Sequence, residues 1–96
     1  MYLDDLLRSR RVEILQIAAK HGARNVRIFG SVSRGEADSK SDVDLLVEFK
    51  RGTTLLGHAA LVQELEELLG VKVDVVSERG LRERIRERVL REAVAL

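Results

Sequence analysis

The stretch that decides the fold begins at Gly30-Ser31, continues for ten residues and ends at Asp42-Val43-Asp44, just before an apolar segment. Alternate residues of a β-strand point to the same face, so we expect Asp42 and Asp44 to project together while Val43 enters the core. Two neighbouring carboxylates repel each other unless a positive charge lies between them. Mg²⁺ prefers oxygen ligands and is often shared with a substrate phosphate. The stretch therefore predicts a site for a metal ion and a nucleotide.

The glycine-serine pair follows a predicted strand, at a place where backbone N–H groups can bind a phosphate. Glycine lets the phosphate approach closely, and Ser31 supplies both a hydroxyl and an amide. Arg34, in the same loop, carries the planar set of donors that suits leaving phosphates, although a solvent-exposed arginine is the alternative. We expect Ser41 to begin the next strand and Lys40 to face solvent rather than a phosphate.

Composition excludes several classes of protein. The 96 residues are enough for one core, and we expect a single domain over 1–96. The absence of cysteine excludes disulfides and thiolate metal sites. No apolar run is long enough to span a membrane, and the N-terminus lacks a signal-peptide pattern, so we expect a cytoplasmic protein. The net charge of +1 and the small number of aromatic residues argue against direct nucleic-acid binding.

The apolar periodicity predicts a mixture of helices and strands. Helical spacing predicts helices over 3–20, from a cap at Thr53 or Thr54 to Leu69, and over 81–95. Alternation predicts strands over 25–29, 42–49 and 71–76, with a short helical turn within 32–41. The fold class is therefore α/β (α+β), a small mixed sheet of three or more strands with helices packed on it.

Asp74 lies in the middle of the third predicted strand. A carboxylate in such a place is costly to bury unless it is paired or bound to a metal ion. If the third strand neighbours the second, Asp74 can join Asp42 and Asp44 in a cluster that could hold two Mg²⁺ ions about 3.5–4 Å apart, as in-line phosphoryl displacement requires. The alternative is structural: Asp42 caps a turn, and Asp74 pairs with Lys72 or an arginine.

Other polar residues give weaker indications. His21 and His58 have no serine or cysteine partner at a suitable spacing, so a hydrolase triad is not expected. Glu48 shares the face of the two aspartates but is expected at the rim of the sheet. The arginine-rich segment 81–95 is either a solvated helix face or a surface for a partner, and the pattern does not decide between them.

The residues around the two aspartates resemble a known signature. The sequences GSVSRGEA at 30–37 and SDVDLLV at 41–47 resemble the Gly-Ser-x10-Asp-x-Asp signature of the polymerase-beta-like nucleotidyltransferase superfamily. The shortness of the chain, its VDVV strand at 73–76 and its closing helix look like the minimal nucleotidyltransferase family. The resemblance covers essentially the whole chain and implies the palm fold of that superfamily.

The resemblance also implies an activity and its residues. The activity is the metal-dependent transfer of AMP from ATP, with pyrophosphate as the leaving group. By position, Gly30 and Ser31 would hold the triphosphate, and Asp42 and Asp44 the metal ions. Asp74 would complete the carboxylate triad. The implied ions are two Mg²⁺, with Mn²⁺ as the alternative.

A partner is implied as well. Members of this small family are typically encoded beside a HEPN-domain protein and act as its antitoxin, by AMPylation of a tyrosine of that toxin ribonuclease. No second domain that could bind an acceptor is evident, which favours a hetero-oligomer with a partner that supplies it. Two alternatives stay open: neutralisation of the partner by binding alone, and nucleotidyl transfer to a small molecule or to an RNA 3′ end.

Overall fold

The computed structural model describes residues 2–36 and 42–96. Within them, the chain forms helices and a sheet in this order: α1 Tyr2–Ser9, α2 Arg11–Lys20, β1 Ala23–Phe29, β2 Val43–Phe49, α3 Leu55–Leu69, β3 Val73–Ser77, a 3-10 turn Glu78–Gly80, α4 Glu83–Glu92 and β4 Val94–Ala95. None of the helices in this part of the chain is long and apolar enough to cross a membrane.

The strands form one mixed sheet in the order β3-β2-β1-β4. β1 pairs antiparallel with β2 and with β4, whereas β2 and β3 run parallel. A parallel pair needs a long crossover connection, and α3 provides it. The predicted mixed sheet is confirmed, and so is the condition set for Asp74, because the third strand does neighbour the second.

One face of the sheet carries the core. The alternating residues of the strands that point to this face are buried against apolar residues of α1, α2 and α3. They include Val26, Ile28, Val43, Leu45, Val47, Val73 and Val75 from the strands and Leu3, Leu7, Ile14, Ala18, Leu61, Leu65 and Leu69 from the helices. Leu46 and Val89 are also buried but lie outside this cluster. Because side chains alternate along β2, Asp44 and Leu46 lie on the face opposite the core.

The predicted helix over 3–20 is interrupted at Arg10, so it forms α1 and α2 rather than one helix. The Ser9 hydroxyl donates to the carbonyl of Leu6 at 2.9 Å. Such a local side-chain bond competes with the regular hydrogen bonds of a helix. The interruption still leaves Leu7 of α1 and Ile14 of α2 fully buried.

The predicted helix over 81–95 is wrong at its C-terminal end. α4 ends at Glu92, and the next residues form β4, which extends the sheet. The backbone N–H of Leu96 donates to the carbonyl of Val26 at 3.1 Å. The free edge of β1 offers backbone groups that need partners, and this pairing satisfies them. Within α4, Val89 is buried but Ile85 is 40% exposed.

The boundaries of the remaining elements follow the predicted signals closely. Thr54 caps α3 by accepting a hydrogen bond from the Gly57 N–H at 3.1 Å, and Gly70 ends the helix with φ +70°. β1 begins two residues earlier than predicted and β3 two residues later. The loop after β1 begins with the predicted turn, but its residues 37–41, with Lys40 and Ser41, lie outside the described part of the chain.

Candidate active site

The candidate site is built where β1 ends and β2 begins. Phe29, the last residue of β1, is the Cα partner of Asp44 in β2. The chain then turns at Gly30, whose φ is +75°. The carbonyl of Gly30 accepts hydrogen bonds from the Arg34 N–H at 3.2 Å and from the Ser33 hydroxyl at 3.0 Å. These bonds hold the glycine-serine turn directly beside the strand that carries the aspartates.

Gly30 lies against the carboxylate of Asp44. A Cβ atom added at Gly30 would overlap the Asp44 carboxylate and would lie 3.2 Å from its Cγ. Only glycine fits this place, both because of the contact and because L side chains rarely adopt this φ. The sequence predicted that glycine admits a phosphate here. The structure adds a second reason, the close approach to Asp44, which residue spacing could not indicate.

The three aspartates lie on, or directly before, two neighbouring strands. Asp44 and Asp74 are Cα partners in the parallel pairing of β2 and β3, and Asp42 immediately precedes β2. Asp44 is half-buried, whereas the other two are exposed. Among residues 2–36 and 42–96, no lysine or arginine forms an ion pair with Asp74, so the alternative of a structural pairing with Lys72 or an arginine is not seen.

The electrostatics of Asp44 reflect this arrangement. Its pKa is raised above the usual value, first by burial and then by the negative charges of Asp74 and Asp42, while the charge of Arg34 acts in the opposite direction. Asp44 therefore senses the charges of both neighbours, and a bound cation would relieve this repulsion.

The donor set fits a divalent cation, since carboxylate oxygens are the ligands that Mg²⁺ prefers. The positions are not those of a finished metal centre. In the part of the chain that the structure describes, no three histidine, cysteine or acidic side chains are gathered closely enough to hold an ion. The assignment of Asp42, Asp44 and Asp74 as ligands thus remains a prediction.

Arg34 lies at the rim of this site. Its Nε donates to Glu36 at 2.9 Å and its Nη1 donates to Glu92, the last residue of α4, at 3.1 Å. The pKa of Arg34 is raised, chiefly by the hydrogen bond to Glu36. Sequence reasoning missed Glu92, because nothing in the spacing of the arginine-rich segment connects it to a loop 58 positions earlier.

The remaining candidate residues make contacts away from the three aspartates. Glu48 accepts hydrogen bonds from Asn25 and Arg24, in agreement with a place at the rim of the sheet. His21 contacts Glu64, and His58 contacts the carbonyl of Val75 at 2.8 Å. Neither histidine therefore joins the aspartates.

A cleft of about 370 Å³ lies at the far end of β2, where Phe49, His58 and Arg79 are part of its lining. β2 has seven residues, and at about 3.3 Å per residue its ends are roughly 20 Å apart. The cleft is therefore remote from Asp42 and contains no carboxylate. We place the candidate site at the aspartates and not in this cleft.

Comparison with known proteins gives one family. The model described as "Nucleotidyltransferase domain" matches residues 11–96. Protein adenylyltransferase MntA of Thermococcus cleftensis is 39% identical over 92 residues, which are 96% of this chain and 90% of the relative.

Solved structures agree with this match. A structure described as a "putative minimal nucleotidyltransferase" superposes with a TM-score of 0.87 at 61% identity, covering 96% of this chain and 94% of the other. The crystal structure of a toxin-antitoxin with AMP-PNP superposes with a TM-score of 0.74 at 23% identity, covering 85% of this chain and 68% of the other. At that identity the second likeness is one of fold.

Proposed function

Because this chain belongs to the nucleotidyltransferase domain family, it is an enzyme of the nucleotidyltransferase type, and we propose that it transfers AMP from ATP to a side chain of a partner protein. One observation carries the proposal. The Gly30 turn lies against Asp44, which is itself level with Asp74 on the next strand. A turn suited to phosphate and a row of carboxylates therefore meet at one end of the sheet.

Each residue has a role in this proposal. Gly30 and Ser31 bind the triphosphate through their backbone and the serine hydroxyl, and Arg34 binds its leaving phosphates. Asp42, Asp44 and Asp74 would hold the metal, two Mg²⁺ ions or Mn²⁺ in their place. When bound, such ions offset the negative charge of the triphosphate and of the leaving pyrophosphate.

The reaction is a displacement at phosphorus. The hydroxyl oxygen of the acceptor forms a bond to the α-phosphorus of ATP, and the bond from that phosphorus to the β-phosphate oxygen breaks. AMP stays on the acceptor and pyrophosphate leaves. The hydroxyl proton passes to Asp74, which is exposed and so can be reached by an incoming side chain.

The name of one relative supports a protein as the acceptor. The relative from Thermococcus cleftensis is named a protein adenylyltransferase, which supports a protein acceptor. We further propose that this acceptor is a tyrosine of a HEPN-type toxin ribonuclease encoded next to this chain. The chain would then act as the antitoxin and form a hetero-oligomer with the toxin in the cytoplasm. The toxin-antitoxin structure of similar fold makes this a natural partner to test first.

Labelled ATP tests the proposal. The purified chain and the neighbouring HEPN-type protein are incubated with Mg²⁺ and ATP labelled either at the α-phosphate or at the γ-phosphate. The expected result is label on the partner from α-labelled ATP alone. The Asp42→Asn/Asp44→Asn variant should give none, whereas Glu48→Gln, which neutralises a carboxylate further along β2, should label normally.

The same experiment distinguishes the alternatives. Label in a small molecule or at an RNA 3′ end would show that the acceptor is not a protein. The Asp42→Asn/Asp44→Asn variant could also neutralise the toxin with the complex intact and no label transferred. That result would show that the chain neutralises its partner by binding and not by catalysis.

A further inference from the structure

We propose that Glu92 is a positioning residue for nucleotide binding: it holds the guanidinium of Arg34 at the rim of the site so that the remaining donors of Arg34 meet the triphosphate. The inference rests on the proposed function and deepens it, because it adds a residue of α4 to the phosphate site.

The geometry of Arg34 leaves donors for a ligand. Glu36 takes the Nε–H and Glu92 takes one N–H of Nη1. A guanidinium has five N–H donors in one plane, so the bonds to described residues leave three of them for an incoming phosphate. Nε and Nη1 lie on different sides of the guanidinium, so the two bonds to carboxylates together fix the direction in which Nη2 points. Arg34 is thus oriented before the nucleotide arrives.

Arg34 belongs to the turn that begins at Gly30, because its backbone N–H donates to the carbonyl of Gly30 at 3.2 Å. The positive charge of Arg34 also lowers the pKa of Asp44, as the smallest of the four influences on it. Asp44 in turn lies against Gly30, the start of the phosphate turn. Arg34 is therefore close to the place where the leaving phosphates would lie.

Glu92 is anchored more firmly than Glu36. The side chain of Glu92 is 23% exposed, against 64% for Glu36, which lies on the same turn as Arg34. Directly after Glu92, β4 pairs with β1, with Val94 opposite Ile28. β1 is also the strand that leads into Gly30. The anchor and the turn are consequently fixed to the same strand, which makes Glu92 the residue that sets the orientation.

When Arg34 is already oriented before the nucleotide binds, less conformational entropy is lost on binding. Glu92→Gln keeps the shape of the side chain but weakens a charge-assisted hydrogen bond. We expect the Kd and KM for ATP to rise about threefold to tenfold, the range that corresponds to one partly exposed bond of this kind, with a smaller change in kcat. Glu87→Gln is the control, because Glu87 lies exposed on the same helix and forms no ion pair with any described residue.

The test is a double-mutant cycle read by equilibrium binding of ATP with Mg²⁺ present. Glu92→Gln, Arg34→Ala and their combination are measured beside Glu87→Gln. The inference predicts that Glu92→Gln weakens binding in the wild-type background, adds no further loss to Arg34→Ala, and leaves the melting temperature close to that of Glu87→Gln. An equal loss in both backgrounds, or wild-type affinity in Glu92→Gln, overturns it.

Binding and transfer separate the two proposals. Wild-type chain that binds ATP but transfers AMP to no protein would contradict the proposed function and leave the role of Glu92 supported by the cycle. Wild-type chain that transfers AMP, together with Glu92→Gln that binds ATP equally well, would contradict the role of Glu92 alone.

Discussion

Asp44 and Asp74 are direct partners across the parallel strands β2 and β3. Like charges at such a position destabilise a sheet, since their side chains share one face and stand close together. The pKa of Asp44 is raised first by burial and then by this repulsion from Asp74. A fold that needed only stability would gain from a neutral residue at either position.

Asp44→Asn should raise the melting temperature at pH 7. A carboxyl whose folded pKa is raised stabilises the fold below its unfolded pKa, near 3.8, and loses this contribution as the pH rises through the folded pKa. At neutral pH the ionised Asp44 therefore weakens the wild-type fold, and asparagine removes the effect. The difference between the variant and the wild type should shrink as the pH falls toward the usual pKa of an aspartate.

Thermal unfolding between pH 3.5 and pH 8, in buffers free of divalent ions, measures this difference. Glu87→Gln serves as the control, because it removes a carboxylate that is exposed and remote from the strands. An Asp44→Asn variant that melts below the wild type at pH 7 would contradict the account given for Asp44.

Divalent cations should stabilise the wild-type fold. An ion that binds the folded state but not the unfolded chain raises the melting temperature in proportion to the logarithm of its concentration. Mg²⁺ or Mn²⁺ should therefore raise the melting temperature of the wild type, and EDTA should reverse the rise. Asp42→Asn/Asp44→Asn should lose this response, while Glu48→Gln should keep it. Equal responses in all three proteins would remove the aspartates as ligands.

Much of the fold could be predicted from residue patterns, because the patterns act over short distances. Thr54 and Gly70 bound α3 as expected, since a cap and a left-handed glycine depend on a few adjacent residues. The alternation along β2 placed Asp44 on the face opposite the core, as predicted, whereas Asp42 lies just before the strand. The pairing of Asp44 with Asp74 could be predicted only on the condition that the third strand neighbours the second, because strand order depends on tertiary contacts.

The sequence predictions failed where the local structure depends on residues that are distant along the chain. The pairing of Val94 with Ile28 depends on the free edge of β1, which helical periodicity near the C-terminus cannot reveal. The bond between Arg34 and Glu92 depends on where α4 ends, and that end is set by the same pairing. The contact of Gly30 with Asp44 likewise needs the antiparallel register of β1 and β2.

Gly30→Ala should lower the free energy of unfolding more than Gly→Ala does at another glycine of similar φ. Alanine at this φ costs about 1–2 kcal/mol of folding free energy, and the overlap with the Asp44 carboxylate adds to it. Gly70→Ala is the matched control, because its φ is +70° and a Cβ there meets nothing within 4 Å.

Urea unfolding gives the two free energies. We expect a loss of about 1 kcal/mol for Gly70→Ala and at least about 2–3 kcal/mol for Gly30→Ala. Nucleotide binding should fall in Gly30→Ala and stay unchanged in Gly70→Ala. Equal losses of stability would show that backbone strain alone, and not the contact with Asp44, requires glycine at position 30.

Asp74→Asn should abolish turnover while the fold persists. Asp74 is exposed on β3, so asparagine creates no cavity, but it can neither accept the proton of the acceptor hydroxyl nor supply a charge for a metal ion. Loss of a general base lowers the rate by about 100-fold or more. We expect AMP transfer from α-labelled ATP to fall by this factor at an unchanged melting temperature, whereas Glu48→Gln, a carboxylate at the other end of β2, should keep the wild-type rate. Near-normal transfer by Asp74→Asn would remove this residue from the triad and leave Asp42 and Asp44 as the acidic pair of the site.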